Sequence, residues 1–324
     1  MAESICFIAA ADPHAEIVHD GKERMADFLT TARDENADFI IHLGDLTYPS
    51  DRSASNCPID KMPENVYAAH LMSGKCDSED VIKSFNEFPA PSLHVMGNHE
   101  FDFSSEESIK KLYGIDATYY SRHIKGWHII VLDCNYYRNE NGELCHYNRG
   151  DYFLTRDLPY LPKEQLSWLA KELKSNDEPK LIFSHQPLFE IGGGLKNFAE
   201  VSDIITNART EGADIRACIS GHLHLDFLKE IGGIYYLGIN SMSNMWVGKR
   251  LEYVGRFSKE IEEENPSLRY VIPYKNAVYV TLKADGDGIS VIGRSSKYIQ
   301  PGPRKIGYKR PISAGMKSRY LPKK

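Results

Sequence analysis

The stretch Pro91–Phe101, PSLHVMGNHEF, begins as a buried β-strand and ends in polar residues. Its first part is apolar, and Gly97 then permits a sharp turn. The residues that follow this turn are Asn98, His99 and Glu100. One polar cluster at a strand end is more often a turn or a helix cap than a functional group. The stretch is therefore informative only if other strands end in the same way.

Four other apolar runs are also followed by polar residues: ICFIAAA (5–11), FIIHL (39–43), KLIFS (180–184) and RACIS (216–220). The polar residues that follow them are Asp12, His14, Asp45, His185, His222 and His224. Ligands bind at the carboxyl ends of strands in layered α/β sheets, so these segments can converge. Carboxylates with neutral imidazoles suit Mn, Fe, Zn or Co. The sequence therefore predicts a metal site built from five strand ends.

The spacing within these clusters favours two ions. The pair Asp12 and His14 can chelate one ion, and His222 with His224 can do the same or supply one ligand to each of two ions. Asp45 has two carboxylate oxygens and can bridge two metals. Ions about 3.5 to 4 Å apart can hold a phosphoryl group and generate a hydroxide for in-line attack. The pattern thus indicates metal-dependent cleavage of phosphoesters.

The remaining histidines have a structural interpretation. His42 and His94 lie inside predicted strands, so we expect them to pack or to form hydrogen bonds. We interpret the others in the same way: His19, His70, His123, His128 and His146.

Alternating strands and helices predict an α/β layered fold. Further strands are expected at 127–132 and 234–239, and an antiparallel section at 268–294 closes the domain. Apolar periodicity predicts helices at 21–33, after Pro162 and at 197–209. We expect one catalytic domain, residues 1–293, with insertions at about 49–90 and 134–161. Residues 294–324 contain ten Lys or Arg and no Asp or Glu, and they form a basic, weakly ordered tail.

Composition is that of a soluble enzyme, with 42% hydrophobic and 26% charged residues and a net charge of -6. The first apolar run is too short for a secretory signal, and no window predicts a membrane span, so we expect a cytoplasmic protein without membrane insertion. The six cysteines form no CxxC pair. A bridge between Cys57 and Cys76 would require an oxidising compartment.

The ordered motifs resemble those of the calcineurin-like metallophosphoesterase superfamily, D-x-H, G-D, G-N-H-[DE], H and G-H-x-H. They stand here as Asp12-Pro13-His14, Gly44-Asp45, Gly97-Asn98-His99-Glu100, His185 and Gly221-His222-Leu223-His224. The resemblance covers residues 12 to 224. It implies a four-layer αββα sandwich of two mixed β-sheets flanked by helices, with a dinuclear metal centre between the sheets.

Position by position, the resemblance implies one metal on Asp12, His14 and His224. It implies a second metal on Asn98, His185 and His222, with Asp45 bridging. His99 is then the catalytic residue that stabilises the phosphoryl group and protonates the leaving alkoxide, and Glu100 orients neighbouring groups. The ions are two divalent or mixed-valence metals, Mn, Fe, Zn or Co.

Tyr48 has two interpretations. The segment GDLTY places it where purple acid phosphatases have a tyrosinate that ligates ferric iron. Those enzymes lack the histidine of the first motif, whereas this chain keeps His14. We therefore favour Tyr48 as a pocket or core residue.

The sequence specifies the substrate less closely than it specifies the metal ligands. The resemblance favours a phosphodiesterase on small soluble, nucleotide-like substrates; a phosphomonoesterase, a nucleotide pyrophosphatase and a non-catalytic metal-binding scaffold stay open. The pocket walls are expected from Tyr136, Tyr137, Tyr147, Tyr152, Phe153 and Trp246. The tail can attract nucleic acid or an anionic membrane, but we favour a tail that folds back on the acidic body or stays solvated, so nucleic acid is not the expected partner.

Overall fold

The computed structural model describes residues 2–50, 78–155, 157–309 and 312–324. Within them lie sixteen strands, which build two six-stranded sheets and two short two-stranded sheets. The strands are β1 Ile5–Ala10, β2 Phe39–Leu43, β3 Ser92–Val95, β4 Tyr120–Ile124, β5 Trp127–Val131, β6 Tyr136–Arg138, β7 Leu144–His146, β8 Lys180–Ser184, β9 Ile215–Ser220, β10 Phe227–Ile231, β11 Ile234–Gly238, β12 Asn244–Trp246, β13 Val271–Pro273, β14 Val280–Ala284, β15 Gly288–Gly293 and β16 Arg319–Pro322.

The described part of the chain contains seven α-helices. They are α1 Gly21–Asp34, α2 Ser78–Asn86, α3 Glu106–Tyr113, α4 Asp151–Leu154, α5 Lys163–Glu172, α6 Phe198–Thr210 and α7 Lys259–Glu264. Three of them, α1, α5 and α6, were expected from the sequence and are confirmed.

Both large sheets are mixed. The first has the order β16-β15-β14-β1-β2-β3, and the second has the order β10-β11-β9-β8-β5-β4. Strands β1, β2 and β3 run parallel to one another, and so do β5, β8, β9 and β11. All five motif-bearing strands therefore lie in the parallel part of a sheet.

The two sheets pack face to face around an apolar core. Phe7 of the first sheet stacks on Phe39 with ring centroids 4.5 Å apart and meets the edge of Phe183 from the second sheet at 5.9 Å. Alternate residues of β1 turn outward, where Ile8 packs against α1, α2 and α3. Helices α5 and α6 cover the outer face of the second sheet, to which Ile182 contributes. The predicted four-layer αββα sandwich is thus confirmed.

The C-terminal segment differs from the expectation of weak order. Residues 319–322 form β16, which pairs with β15 at the edge of the first sheet, and Leu321 is buried between the sheets. Lys323 and Lys324 form ion pairs with Asp214 and Glu230. The segment therefore folds back on the acidic body, which was the favoured alternative to recruitment of nucleic acid.

The antiparallel section also differs in one detail. Hairpin β14–β15 is present, but residues 266–270 form a 3₁₀ turn that begins at Pro266, and β13 pairs with β12 in a separate two-stranded sheet. Proline fixes its own backbone φ and cannot donate to a ladder, so it suits the start of such a turn.

The insertions carry small elements of their own. Residues 134–161 hold the hairpin β6–β7 and α4, while α2 lies at the end of the insertion 49–90. His70, Cys57 and Cys76 lie outside the described residues. The described cysteines Cys6, Cys134, Cys145 and Cys218 are free.

His42 and His94 have the structural role expected for them. Both are buried, and His42 Nε2 lies 2.8 Å from His94 Nδ1. His94 also contacts the Asn86 side chain at 2.7 Å. These rings connect β2 and β3 beneath α2.

Candidate metal centre

The carboxyl ends of β1 and β9 bring together the first group of metal-ligating side chains. His14 Nε2 lies 3.2 Å from His224 Nε2, and His224 Nε2 lies 3.4 Å from Asp12 Oδ1. One ligand atom from each of the three residues falls within 4.8 Å of the others. This group could hold a single metal ion.

A second group forms at the ends of β2, β8 and β9. His185 Nε2 lies 3.2 Å from Asp45 Oδ2 and 3.1 Å from His222 Nδ1. One ligand atom from each of Asp45, His185 and His222 likewise lies within 4.8 Å of the others. Asn98 adds a carboxamide oxygen, because its Oδ1 lies 3.2 Å from His185 Nε2. All seven residues proposed from the sequence as metal ligands are thus brought together.

Asp45 lies between the two groups. Its Oδ2 atom is 3.2 Å from His185 Nε2 and 3.9 Å from His14 Nε2. Its Oδ1 accepts a hydrogen bond from the backbone N–H of His99 at 2.9 Å. The carboxylate is therefore fixed from one side and presents one oxygen to both groups.

The strand ends adopt an unusual backbone. Five non-glycine residues of the centre have φ between +45° and +66°: Asp12, His14, Asp45, His222 and His224. Gly97 is required by close approach, because a Cβ there would lie 2.2 Å from Asp45 Oδ1. Gly44 has φ +90° and a Cβ would lie 2.4 Å from His185 Nδ1. Only glycine allows these loops to approach one another so closely.

Hydrogen bonds orient the imidazole rings. His185 Nδ1–H donates to the carbonyl of Leu43 at 2.6 Å, and His224 Nδ1–H donates to the carbonyl of Asn244 at 3.2 Å. Each ring therefore turns Nε2 toward the centre. An oxygen partner on the outer ring nitrogen is typical of metal-binding histidines.

Tyr48 has the same relation to His14. Its hydroxyl lies 2.9 Å from His14 Nδ1, on the far side of the ring from Nε2, and the side chain is buried. Burial raises the pKa of Tyr48 well above its usual range. The favoured interpretation as a core residue therefore fits, with an added role in orienting His14.

The donor set fits metal cations. Burial lowers the pKa of both His14 and His222 to about 3, so both rings are neutral and available as ligands. At His185, burial lowers the pKa but the Asp45 carboxylate raises it more, to about 10. The carboxylates of Asp12 and Asp45 therefore favour a bound positive charge at the centre. The buried Nδ2 of Asn98 has no hydrogen-bond partner in the described part of the chain; as a donor it could serve a bound anion, while only the Oδ1 atom of this side chain could bind a metal.

Glu100 ties two motif loops together. Its carboxylate accepts backbone N–H groups of Leu46 at 2.7 Å, Gly97 at 2.8 Å and Asp45 at 2.9 Å, and the hydroxyl of Tyr113 at 3.2 Å. Glu100 therefore orients its neighbours, as expected from the sequence.

His99 lies beside the two metal-ligating groups and faces outward. Its side chain is 16% exposed, and its Nδ1 lies 2.5 Å from Asp102 Oδ2. Burial lowers the pKa of His99, but Asp102 and Asp45 raise it more, to about 9. Sequence reasoning missed Asp102, although its position three residues after His99 on a helical turn could have indicated the contact.

Aromatic rings surround His99. Centroid distances from its ring are 5.1 Å to Tyr48, 5.5 Å to Tyr152 and 6.3 Å to Trp246. The other predicted wall residues contact rings of the same insertion: Tyr136 contacts His146, Tyr137 stacks on Tyr147, and Phe153 contacts Tyr152. Of the predicted wall, only Tyr152 and Trp246 contact a centre residue among the described rings.

An αββα sandwich with two histidine–carboxylate groups at its strand ends is the architecture expected of a metal-dependent hydrolase. The family model for calcineurin-like phosphoesterases matches residues 7–226, and the chain belongs to this family. Membership identifies the chain as a phosphoester hydrolase of a family that uses divalent metals.

No curated protein matches the chain in sequence. Among solved structures, it is similar to a dimetal phosphatase from Danio rerio, with a TM-score of 0.59 and 15% identity over 91% of this chain and 98% of that one. It is also similar to GAP50, the anchor in the inner membrane complex of Plasmodium, with a TM-score of 0.50 and 13% identity over 96% and 89% of the two chains. At these identities the similarity concerns the fold alone. No helix in the described ranges is long and apolar enough to cross a membrane.

Proposed function

We propose that this protein hydrolyses phosphodiester bonds of small, nucleotide-like substrates at a dinuclear metal centre. The observation that carries the proposal is the position of Asp45, whose Oδ2 lies between His185 of one ligand group and His14 of the other. A carboxylate shared in this way could contribute to both metal sites, and paired metal ions would supply the charge that phosphoryl transfer requires.

The proposed ligands follow the two groups. Asp12, His14 and His224 bind the first ion. Asn98, His185 and His222 bind the second, with Asp45 between them. Mixed nitrogen and oxygen donors suit Mn, Fe, Zn or Co, and availability decides among these metals. The ions supply Lewis acidity to the phosphoryl group and an activated water.

His99 is the proposed general acid. Asp102 engages its Nδ1, so Nε2 is left for the substrate and the ring cannot rotate freely. From this position His99 can donate a hydrogen bond to the phosphoryl group and a proton to the leaving alkoxide. His99 is not needed as a ligand in this arrangement, because both groups are complete without it.

The surroundings of His99 favour a diester that carries an aromatic group such as a nucleobase. A phosphomonoester carries a charge of about -1.5 to -2 at pH 7 and a diester only one negative charge. Among the described residues, the hydrogen-bond and ring contacts of the His99 side chain are made by acidic or aromatic side chains, which supply no positive charge for a second negative charge on the substrate. Tyr152 and Trp246 are half-buried and offer π-faces for a nucleobase.

The test compares bis-p-nitrophenyl phosphate, p-nitrophenyl phosphate and a nucleotide pyrophosphate with Mn²⁺-loaded protein. We expect the diester to have the highest kcat/KM. A higher value for p-nitrophenyl phosphate would favour a monoesterase, and a higher value for the pyrophosphate would favour a pyrophosphatase. Two bound Mn²⁺ without turnover of any substrate would favour a non-catalytic scaffold.

Two variants separate ligand from catalyst. Asp45→Asn should abolish activity and reduce the bound metal, because it removes bridging charge. His99→Ala should retain both ions while kcat falls by roughly 10² to 10⁴. His123→Ala is the matched control, since this histidine is 55% exposed and outside the centre. Loss of metal in His99→Ala would contradict the assignment.

A further inference from the structure

The C-terminal segment contacts the loop that carries His222 and His224. Arg319 Nη1 lies 2.6 Å from Asp226 Oδ1, and the backbone N–H of Lys317 donates to Asp226 Oδ2 at 3.1 Å. The Asp226 side chain is only 4% exposed. A carboxylate removed from water in this way requires a fixed positive partner. Arg319 therefore fixes a residue two positions after His224.

The same segment holds a second loop, residues 240–244. The Asn240 side chain donates to the carbonyls of Ser313 at 2.9 Å and Gly315 at 3.3 Å. The next residue, Ser241, donates its hydroxyl to the Asp12 carbonyl at 2.8 Å. Asn244 in turn accepts the hydrogen bond from His224. Asp12 and His224 are thus supported through this loop as well.

The segment is itself anchored. Ala314, Met316 and Leu321 are buried in the core between the sheets, and β16 pairs with β15. Arg319 opposes Val291 in that ladder, so its backbone cannot shift independently. Because the segment is anchored in this way, its contacts fix the positions of the loops that it touches.

We propose that residues 313–319, here called the C-terminal brace, position Asp12 and His224 for the first metal ion, with Arg319 as the principal positioning residue. The inference rests on the proposed two-metal function and goes beyond it, because the brace lies outside the residues 7–226 that match the family. The basic segment then positions ligands of the metal centre and does not serve to recruit another molecule.

The test is a Mn²⁺ titration of the full chain, with thermal unfolding measured in parallel. Arg319→Gln should weaken one of the two Mn²⁺ affinities by about tenfold, the lower end of the range for residues that orient metal ligands, and leave the other unchanged. Lys324→Gln is the matched control. It removes the same charge from the same segment but breaks a pair with Glu230 whose side chains are 37% and 45% exposed, and it should leave both affinities unchanged.

The charge-swapped pair Arg319→Asp with Asp226→Arg should restore much of the lost affinity. If Arg319→Gln does not fold, Asp226→Asn is titrated in its place, because it removes the other charge of the pair and should weaken the same Mn²⁺ affinity. A lowered Tm with two unchanged affinities would mean that the pair only stabilises the fold, and it would overturn the brace. Fewer than two Mn²⁺ on the wild type would overturn the proposed function and the brace together.

Discussion

Glu100→Gln should destabilise the fold by an amount that the structure allows us to work out. The carboxylate accepts four hydrogen bonds, with Leu46 N–H and the Tyr113 hydroxyl on Oε1, and Asp45 N–H and Gly97 N–H on Oε2. Glutamine replaces one carboxylate oxygen by an amide nitrogen, which donates hydrogen bonds instead of accepting them. The less costly orientation puts the new amide nitrogen on the Oε1 side, because the Tyr113 hydroxyl can turn to accept from it.

In that orientation the Leu46 N–H is left buried and unpaired. One such group costs about 1–3 kcal/mol. With an unfolding entropy of about 2.1 cal/mol/K per residue, a chain of 324 residues loses roughly 1.5–4.5 °C in Tm. Glu100→Ala leaves three N–H groups unpaired and is expected to cost several times more, which is comparable with the total stability of a domain. Glutamine is therefore the informative substitution.

The assay is thermal unfolding with a chelator present, followed by Mn²⁺ titration of the same samples. Mn²⁺ affinity should fall by about 10- to 100-fold, because Glu100 sets the distance between the loops of Asp45 and Asn98. The control is Glu107→Gln, an exposed residue of α3 that removes the same charge. If Glu100→Gln lowers the Tm no more than this control, the reasoning from unpaired donors is refuted.

Two further predictions concern Tyr48 and His146. Tyr48→Phe should weaken one Mn²⁺ affinity by about tenfold, because it frees the His14 ring. With ferric iron, neither the wild type nor this variant should show a tyrosinate-to-iron charge-transfer band. A band that is present in the wild type and lost in the variant would identify Tyr48 as a metal ligand. At His146, burial lowers the pKa but Asp133 raises it more; at Asp133, burial raises the pKa but His146 lowers it more. A raised histidine pKa stabilises the fold below its ordinary value near 6.5, and this stability is lost as pH rises through the folded pKa. His146→Gln should therefore lower the Tm more at pH 5.5 than at pH 9, and an equal loss at both pH values would contradict the pair.

The centre could be predicted from sequence because its signals are local. Each ligand follows an apolar run within a few residues, and each close approach requires a glycine such as Gly44 or Gly97. The sheet interior was visible for the same reason, since strands covered on both faces read as continuous apolar runs. Strands β4 and β10 were missed because most of their residues are partly or fully exposed, so they carry no such run.

Other parts depend on tertiary contacts that leave little local signal. The carbonyl of Asn244 that orients His224 could belong to any residue type. Arg319 belongs to a run of basic residues that is typical of a solvated tail, and only the position of Asp226 makes it an edge strand with a buried ion pair. Charge patterns therefore predicted that the segment would meet the acidic body but not where.

Backbone strain explains why the five motifs are informative only together. Five left-handed non-glycine residues cost roughly 1–3 kcal/mol each, which in sum approaches the stability of a whole domain. No loop bears this strain alone, because each is fixed by another: His14 N–H donates to the Asp45 carbonyl at 2.9 Å, and the Asp12 carboxylate accepts the N–H of His222 at 2.9 Å. A single motif lacks the partners that hold its loop in this conformation. The ligand geometry is therefore a property of the assembled strand ends, and a change in one loop should disturb the ligands of its neighbours as well as its own.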